Sequence, residues 1–164
     1  MAAGLVFTLL LGLSFGLWDG ADAGCHLRAP TELDCPPGWS WFDRRCFIFV
    51  NTPVTWTSAE DACFLLDSHL ASYNSMAEYT FIRQLILNKT TRNVPSWVGG
   101  FDSVEEGEWF WSDGSKFWFT NWRPGGPNND GGFEHCIIIN YNEEEFMADE
   151  ECTKVFPFVC AKPL

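Results

Sequence analysis

The stretch RPGGPNNDGGFEHC, residues 123–136, decides how the second half of the chain is organised. It contains two Pro, four Gly, two adjacent Asn, one Asp and one Glu ahead of a cysteine. Gly and Pro interrupt helices and central strands, and Asn and Asp favour turns, so the stretch predicts a long irregular surface loop. Its amide and carboxylate oxygens are ligands that hard cations prefer, which makes the loop a candidate binding site.

Segments typical of strands lie on both sides of this loop. They are SWVGG (96–100), EWFWSDG (108–114), HCIIINYN (135–142) and KVFPFVCA (154–161). Aromatic and β-branched residues bounded by Gly, Asn and Asp predict β-structure in each. The alternate aromatics Trp109 and Trp111 are expected to fill a core rather than to bind a ligand.

Two helices are predicted ahead of most of these strands. The first begins with a capping box formed by Thr57 and Glu60, and the second with one formed by Ser75 and Glu78. Apolar residues recur at helical spacing after each cap. They are Ala59, Ala62, Cys63 and Leu66 in the first helix, and Tyr79, Ile82, Leu85 and Ile86 in the second. Helices followed mainly by strands indicate an α+β domain.

Residues 1–23 are predicted to be a signal peptide. The apolar run from Leu5 to Trp18 is too short to cross a bilayer, and Ala21-Asp22-Ala23 has the small residues of a cleavage site. An N-terminal membrane anchor is the alternative, which the shortness of the run disfavours. The chain is therefore expected to be secreted and extracellular, without a membrane span.

The part that follows the signal has the length of one domain and a strong negative charge. The signal contains Asp19 and Asp22 and no Lys or Arg, so the remaining 141 residues carry 20 acidic and 10 basic side chains. Such a balance argues against binding to nucleic acid or to anionic membranes.

All seven cysteines follow the predicted signal: Cys25, Cys35, Cys46, Cys63, Cys136, Cys152 and Cys160. In an oxidising compartment they predict a disulfide framework. Cys35 and Cys46 are spaced to close a hairpin, but spacing alone does not choose among the possible pairings of six cysteines. Because seven is odd and Cys25 stands alone in a polar arm, residues 24–34, Cys25 is either free or links two chains into a homodimer.

A sequon for N-glycosylation follows the second predicted helix at Asn88-Lys89-Thr90. In a secreted protein, this position just past the end of a helix is expected to be exposed. Asn88 is therefore a candidate glycosylation site.

Taken together, these motifs resemble the C-type lectin-like domain family. CPPGW, RRCF, WTSAEDAC, HLAS, SWVGG, WFWSDG, NWRPGGPNN, EHC and FVCAK follow the family's order across residues 35–162. The resemblance implies one disulfide-stapled α+β domain over residues 35–164, with two helices packed on antiparallel sheets and a long ligand loop. Within the family, the chain is most similar in character to secreted fish mucus lectins and type II antifreeze proteins.

The resemblance also implies how the cysteines pair. The implied bridges are Cys35–Cys46 in the first hairpin, Cys63–Cys160 between the first helix and the last strand, and Cys136–Cys152 beside the loop. Cys25 then has no partner within the domain.

In sugar-binding members of the family, a calcium ion lies in the long loop and two hydroxyls of the sugar complete its coordination. Its ligands come from a Glu-Pro-Asn or Gln-Pro-Asp tripeptide, a Glu near the next cysteine and an Asn-Asp pair on the following strand. Here Asn128, Glu134 and Asp149 match, whereas Gly126 and Ala148 cannot provide ligands. The resemblance thus implies either a weak calcium and sugar site at the three matching residues, with a Kd of about 10⁻⁴ to 10⁻³ M, or a loop without an ion.

Three functions are consistent with this sequence. The leading one is a secreted lectin that binds glycans in innate or mucosal defence. An ice-structuring protein is the second, although the acidic residues near the loop disfavour the flat, weakly charged face that it needs. The third is a calcium-independent domain that binds a protein partner through the aromatic residues Trp118, Phe119 and Trp122.

Enzymatic activity is not expected. His26, His69 and His135 stand at isolated positions, and no nucleophile motif or metal-hydrolase spacing occurs. His135 is expected to pack near Cys136 rather than to bind zinc. The acidic run 143–145 is expected to form a solvated turn rather than a second cation site.

Overall fold

The structure is a computed structural model that describes residues 34–164. Its elements are β1 (Ser40–Phe42), β2 (Arg45–Val54), α1 (Trp56–Phe64), β3 (His69–Leu70), α2 (Met76–Thr90), β4 (Ser96–Phe101), β5 (Phe110–Trp111), β6 (Glu134–Ile139), β7 (Ala148–Glu151) and β8 (Phe156–Pro163). The predictions of a signal peptide, of an arm and of an interchain Cys25 lie largely outside these residues. Neither helix in the described part is long and apolar enough to cross a membrane.

One sheet contains all the described strands. Its order is β1-β2-β8-β4-β6-β7, with β3 paired to β8 and β5 paired to β4. The α+β class is as predicted, but the sheet is mixed rather than antiparallel. The central strands β4 and β8 run parallel, with Trp97 opposite Phe158, because the chain passes through the loop, β6 and β7 before β8 enters the middle of the sheet.

The first helix does not begin where the sequence pattern predicts. Thr55, with extended backbone angles, is the N-cap, and its hydroxyl accepts a hydrogen bond from the Ser58 amide at 3.4 Å. The predicted capping box of Thr57 and Glu60 is therefore wrong. The Glu60 carboxylate instead accepts hydrogen bonds from the Leu70 amide at 2.8 Å and the Ser112 hydroxyl at 3.0 Å.

The same helix ends earlier than its apolar spacing suggests. It stops at Phe64, and the chain turns through Asp67, which has a positive φ of 51°. Ala59 and Cys63 are buried as predicted, but Leu66 lies beyond the helix and is 41% exposed. Leu66 therefore does not belong to the core.

The second helix matches the prediction at its start and along its face. The Ser75 hydroxyl accepts a hydrogen bond from the Glu78 amide at 3.2 Å, while the Glu78 carboxylate reaches back to the Asn74 amide at 2.8 Å. The four predicted apolar residues, Tyr79, Ile82, Leu85 and Ile86, are all buried. Asn88 is exposed, as expected, but it lies in the last turn of α2 rather than past its end.

The core has two parts, one on each side of the sheet's central strands. In the first, α2 packs against Phe47, Tyr73 and Trp111, and the second joins α1 to Trp97 and Phe158. Trp111 is buried and Trp109 is half-buried against the first part, so both fill a core as expected.

The three implied disulfides form. They are Cys35–Cys46, Cys63–Cys160 and Cys136–Cys152, with Cα–Cα distances of 5.6, 5.5 and 5.2 Å. The second joins α1 to β8, and the third joins β6, which follows the long loop, to the residue after β7.

Candidate functional site

The long loop runs from the end of β5 to the start of β6, and its middle is tied to the sheet. Trp122 forms a bridge with Met147, and the Arg123 amide donates to the Met147 carbonyl at 2.9 Å. The Trp122 ring also packs 4.9 Å from that of Trp109. These contacts place the Gly- and Asn-rich part of the loop beside β7.

Asp149 on β7 is the central anchor of this site. Its side chain is buried, with the residue only 2% exposed. Oδ2 accepts hydrogen bonds from the amides of Asn128 at 2.8 Å and Asn129 at 2.6 Å. The other carboxylate oxygen, Oδ1, is buried and has no hydrogen-bond partner among the described residues. Buried carboxylate oxygens are normally satisfied, so Oδ1 indicates a place for a donor or a cation.

Glu134, the first residue of β6, closes the loop from the other side. Its amide donates to Asn129 Oδ1 at 3.1 Å, and its carboxylate accepts from the Asp130 amide at 2.9 Å. Burial, followed by the negative charges of Asp149, Glu150 and Asp130, raises the pKa of Glu134 above its usual value, although the Asp130 amide opposes this. The structure thus brings Asn128, Glu134 and Asp149 into one cluster that is rich in negative charge.

Arg123 is a member of this cluster that the sequence analysis missed. Its guanidinium donates a hydrogen bond to Asn128 Oδ1 and lies 4.8 Å from the centre of the Tyr141 ring. A Cβ atom built on Gly126 would lie 3.1 Å from Arg123 Cγ and 3.4 Å from its carbonyl oxygen. The Arg123 side chain therefore lies where a side chain at position 126 would begin, and it engages the amide oxygen that a cation would use.

The two positions that lack ligands have different surroundings. Gly126 precedes Pro127 through a cis peptide bond at the surface of the loop. Ala148 is fully buried opposite Ile138 in the β6–β7 pair. Position 148 therefore contributes to the core in this protein.

A second set of contacts fixes the loop to the turn before β5. His135 Nδ1 lies 3.0 Å from the buried Asp102 Oδ1 and 3.4 Å from Glu106 Oε2, and Asn129 donates to Glu106 Oε2 at 2.6 Å. Asp102, Glu106 and His135 each have one atom that could bind a metal ion, and these three atoms lie within 4.8 Å of one another. His135 is therefore not isolated, nor is His69, which contacts Glu60 at 2.5 Å.

Comparison with known proteins identifies the domain. The family model described as "Lectin C-type domain" matches residues 52–162. The chain belongs to the C-type lectin domain family. The match covers both helices, the long loop and every residue of the cluster described above.

Two fish lectins and one antifreeze structure show how near these relatives are. Ladderlectin of Oncorhynchus mykiss is 47% identical over 131 residues, covering 80% of this chain and 69% of its own. Galactose-specific lectin nattectin of Thalassophryne nattereri is 39% identical over 158 residues, covering 96% of each chain. The structure of herring type II antifreeze protein has a TM-score of 0.74 and 33% identity, covering 79% of this chain and 99% of its own.

The aromatic residues beside the loop of this C-type lectin domain differ in exposure. Trp118 is 67% exposed, whereas Phe119 and Trp122 are half-buried against the core. Phe119 packs edge-on to Tyr73 at 6.0 Å, so of the three aromatics considered for binding a protein partner only Trp118 is largely exposed.

The acidic run 143–145 is an exposed turn, as expected. Its first member, Glu143, pairs with Arg92, and its last, Glu145, pairs with Arg83 at 2.8 Å. These ion pairs attach the turn to α2 and to the residue just past its C-cap.

Proposed function

We propose that this C-type lectin domain protein is secreted and binds glycans, in innate or mucosal defence, at the cluster of Asn128, Glu134 and Asp149. The observation that carries the proposal is the buried Asp149 carboxylate, which holds the loop with one oxygen and whose other oxygen has no partner in the described part of the chain. The relationship to a galactose-specific lectin over nearly the whole chain supports it.

A calcium ion fits the chemistry of this cluster, and Asn128, Glu134 and Asp149 would hold it. When bound, calcium would coordinate hydroxyl groups of a sugar. Glu134 and Asp149 bring two carboxylates to the cluster, and burial, followed by the nearby charges of Asp149, Glu150 and Asp130, raises the pKa of Glu134. Because Gly126 and Ala148 add no ligand and Arg123 engages Asn128, we expect a weak site, with a Kd of about 10⁻⁴ to 10⁻³ M.

The three residues have different roles in this proposal. Asp149 is buried, so it positions the loop and does not reach the sugar. Asn128 is exposed and Glu134 is half-exposed, so their side chains can hydrogen-bond hydroxyl groups at the surface. The contacts of Asn129 with Glu106 and Glu134 keep the loop in the shape that presents them.

The deciding experiment is a calorimetric titration of calcium into the chelator-treated protein, with and without galactose or mannose. Saturable binding that sugar strengthens is expected. Glu134→Gln should abolish it, because the amide keeps the shape and an acceptor but loses the charge. Glu144→Gln is the matched control, since Glu144 is an exposed acidic residue of the other turn.

Other outcomes of this experiment are equally informative. Equal binding by Glu134→Gln and wild type would place the cation elsewhere. Absence of calcium binding, together with glycan-array binding that persists in chelator, would leave a calcium-independent lectin. Absence of both would overturn the proposal.

A second candidate function rests on the likeness to herring type II antifreeze protein. Ice binding needs a broad surface with few charges, whereas Asp130 and Glu106 lie beside this loop and are exposed. Thermal hysteresis measured on the same preparation tests this candidate. A clear freezing-point gap without glycan binding would favour it over the lectin.

A further inference from the structure

A cleft of about 780 Å³ lies where the end of α1, the segment before α2, the turn after β5 and the end of β8 meet. Its volume falls in the range of about 300 to 1,000 Å³ that small-molecule sites occupy. None of its lining residues belongs to the calcium cluster of the long loop. Most of the lining is charged or polar, and it includes Arg45, Asp67, His69, Glu78, Asp113 and Lys162.

The charged groups at this cleft largely compensate one another. The Arg45 guanidinium bonds Glu78 Oε1 at 3.0 Å and lies 3.6 Å from Asp113 Oδ2, so one cation is shared by two carboxylates. The remaining two charges, Asp67 and Lys162, have opposite signs. A charged ligand would have to compete with these pairs, so the cleft favours an uncharged polar ligand.

Two other residues of the cleft have hydrogen-bonding capacity that the domain does not use. Asn74 Oδ1 and Ser115 Oγ are buried and have no hydrogen-bond partner among residues 34–164. The Asn74 amide donates to Glu78 at 2.8 Å, and the Ser115 amide donates to Asp113 at 2.9 Å. The two unpaired oxygens therefore belong to residues beside each carboxylate that holds Arg45. Buried polar atoms are normally satisfied, so these oxygens indicate a ligand that carries hydroxyl groups.

His69 gives the same cleft an oriented acceptor. Its Nδ1 contacts Glu60 Oε1 at 2.5 Å, and Glu60 Oε2 is itself held by the Leu70 amide at 2.8 Å and the Ser112 hydroxyl at 3.0 Å. A histidine that donates from Nδ1 to a carboxylate keeps an acceptor at Nε2. The imidazole is 42% exposed, so a ligand hydroxyl can reach it.

Phe64 adds an apolar wall to this polar cleft. Its side chain is 68% exposed, and its ring centre lies 6.5 Å from that of His69. The face of an aromatic ring is negative. The C–H groups of a sugar ring carry a slight positive charge because each carbon bears an oxygen, so they pack favourably on such a face. An aromatic wall beside unpaired hydrogen-bonding groups therefore matches the two kinds of surface that a sugar presents.

We propose that this cleft is a second saccharide site, which binds a neutral hexose without calcium. The sugar hydroxyls bond Asn74 Oδ1, Ser115 Oγ and His69 Nε2. Its C–H face packs on Phe64. The site is independent of the function proposed for the loop, because the two sites have no residue in common. Two sites on one domain would allow a single chain to hold two branches of a glycan surface, which strengthens weak binding.

NMR titration of the ¹⁵N-labelled full chain, produced through a secretory pathway and kept in chelator, tests the proposal. The probes are methyl galactoside and methyl mannoside, both uncharged. At least one of them should shift the backbone amide signals of Ser68, Asn74 and Ser115 saturably, with a Kd in the millimolar range that is usual for a ligand of this size. Glu134→Gln should leave these shifts unchanged, although it removes the calcium site of the loop.

Two substitutions examine the residues that the site needs. Asn74→Ala and Phe64→Ala should each weaken binding of the glycoside by about fivefold to tenfold, since one removes a hydrogen bond and the other a ring contact. Asn74→Ala should leave thermal unfolding unchanged, because Oδ1 has no partner to lose. Leu65→Ala is the matched control, since Leu65 is 84% exposed next to Phe64 but does not line the cleft.

Several results would overturn the proposal. They are the absence of saturable shifts with both glycosides in chelator, shifts confined to Asn128 and Glu134, and equal Kd values for Asn74→Ala and Leu65→Ala. Tighter binding of galactosamine or galacturonic acid than of methyl galactoside would assign the cleft to a charged ligand instead. Because the cleft is titrated in chelator and the loop with calcium, failure of one site is distinguishable from failure of the other.

Discussion

Two buried carboxylates in this domain differ in whether both of their oxygens have hydrogen-bond partners. Glu78 at the start of α2 has a partner for each oxygen, the Arg45 guanidinium at 3.0 Å and the Asn74 amide at 2.8 Å. Asp149 uses one oxygen for two loop amides, and its other oxygen has no partner within the described domain. Both oxygens of Glu78 are therefore satisfied, whereas Asp149 keeps an unused acceptor that a cation could take.

Arg45→Met should have the largest effect, because it leaves Glu78 and Asp113 without their cation. Removing one partner of a buried ion pair costs about 3 to 5 kcal/mol, and the partial exposure of Arg45 places this case near about 3 kcal/mol. Urea unfolding measures the loss. A loss below about 1 kcal/mol would show that the ion pair between Arg45 and Glu78 contributes no more than an exposed pair does.

Neutralising each carboxylate in turn compares the two arrangements directly. Glu78→Gln should lower the free energy of unfolding by about 2 kcal/mol, since Arg45 loses a charged partner. Asp149→Asn should cost no more than about 1 kcal/mol in chelator, because the amide oxygen still accepts from the loop. With millimolar calcium, only Asp149→Asn should lose stabilisation by the ion, as measured by thermal unfolding. The reverse order of costs in chelator would contradict the comparison.

Changing Arg123 together with Gly126 should strengthen calcium binding beside Asp149. Gly126→Glu alone should change calcium affinity little, because Arg123 occupies the adjacent space. Combining it with Arg123→Ala should raise the affinity by about tenfold, equivalent to about 1.4 kcal/mol, by adding a carboxylate and freeing Asn128. Calorimetry of the two single variants and the double variant measures the coupling. Additive effects would mean that Arg123 does not exclude the ligand.

The smallest expected effect concerns Glu134 in the absence of calcium. Because its pKa is raised in the folded domain, ionisation of Glu134 destabilises the fold above that pKa, and the penalty disappears as pH falls and the group protonates. Glu134→Gln should therefore be as stable as wild type or slightly more stable at pH 7. Its advantage should vanish in acid. Thermal unfolding in chelator across pH measures this, and a less stable variant at pH 7 would contradict it.

Local signals explain which elements were predictable. Ser75 caps α2 because an extended residue is followed directly by a helical turn, and the burial of Tyr79 and Ile82 follows from helical spacing alone. The first cap was misplaced because β2 continues to Val54, so that Thr55 is the residue at which the strand gives way to the helix. Thr55 and Thr57 are both residues that can cap a helix, and the extent of β2 decides which of them does so.

The candidate site was predictable only in part. The resemblance identified Asn128, Glu134 and Asp149, and the structure places them in one cluster. Arg123 was missed because its role depends on Gly126, Asn128 and the ring of Tyr141, which approaches from a distant part of the chain. The contact of His135 with Asp102 was missed for the same reason.

The sequence by itself determined the number of cysteines available for disulfides, the N-cap and the apolar face of α2, and the presence of a long loop with its oxygen-bearing residues. Each of these depends on residue type and short-range spacing. Only the tertiary structure decided that β4 and β8 run parallel, that Asp149 Oδ1 has no partner among residues 34–164 and that Phe64, Leu65 and Leu66 stay exposed where α1 ends. These features depend on contacts between residues far apart in the chain, and short-range patterns carry no information about such contacts.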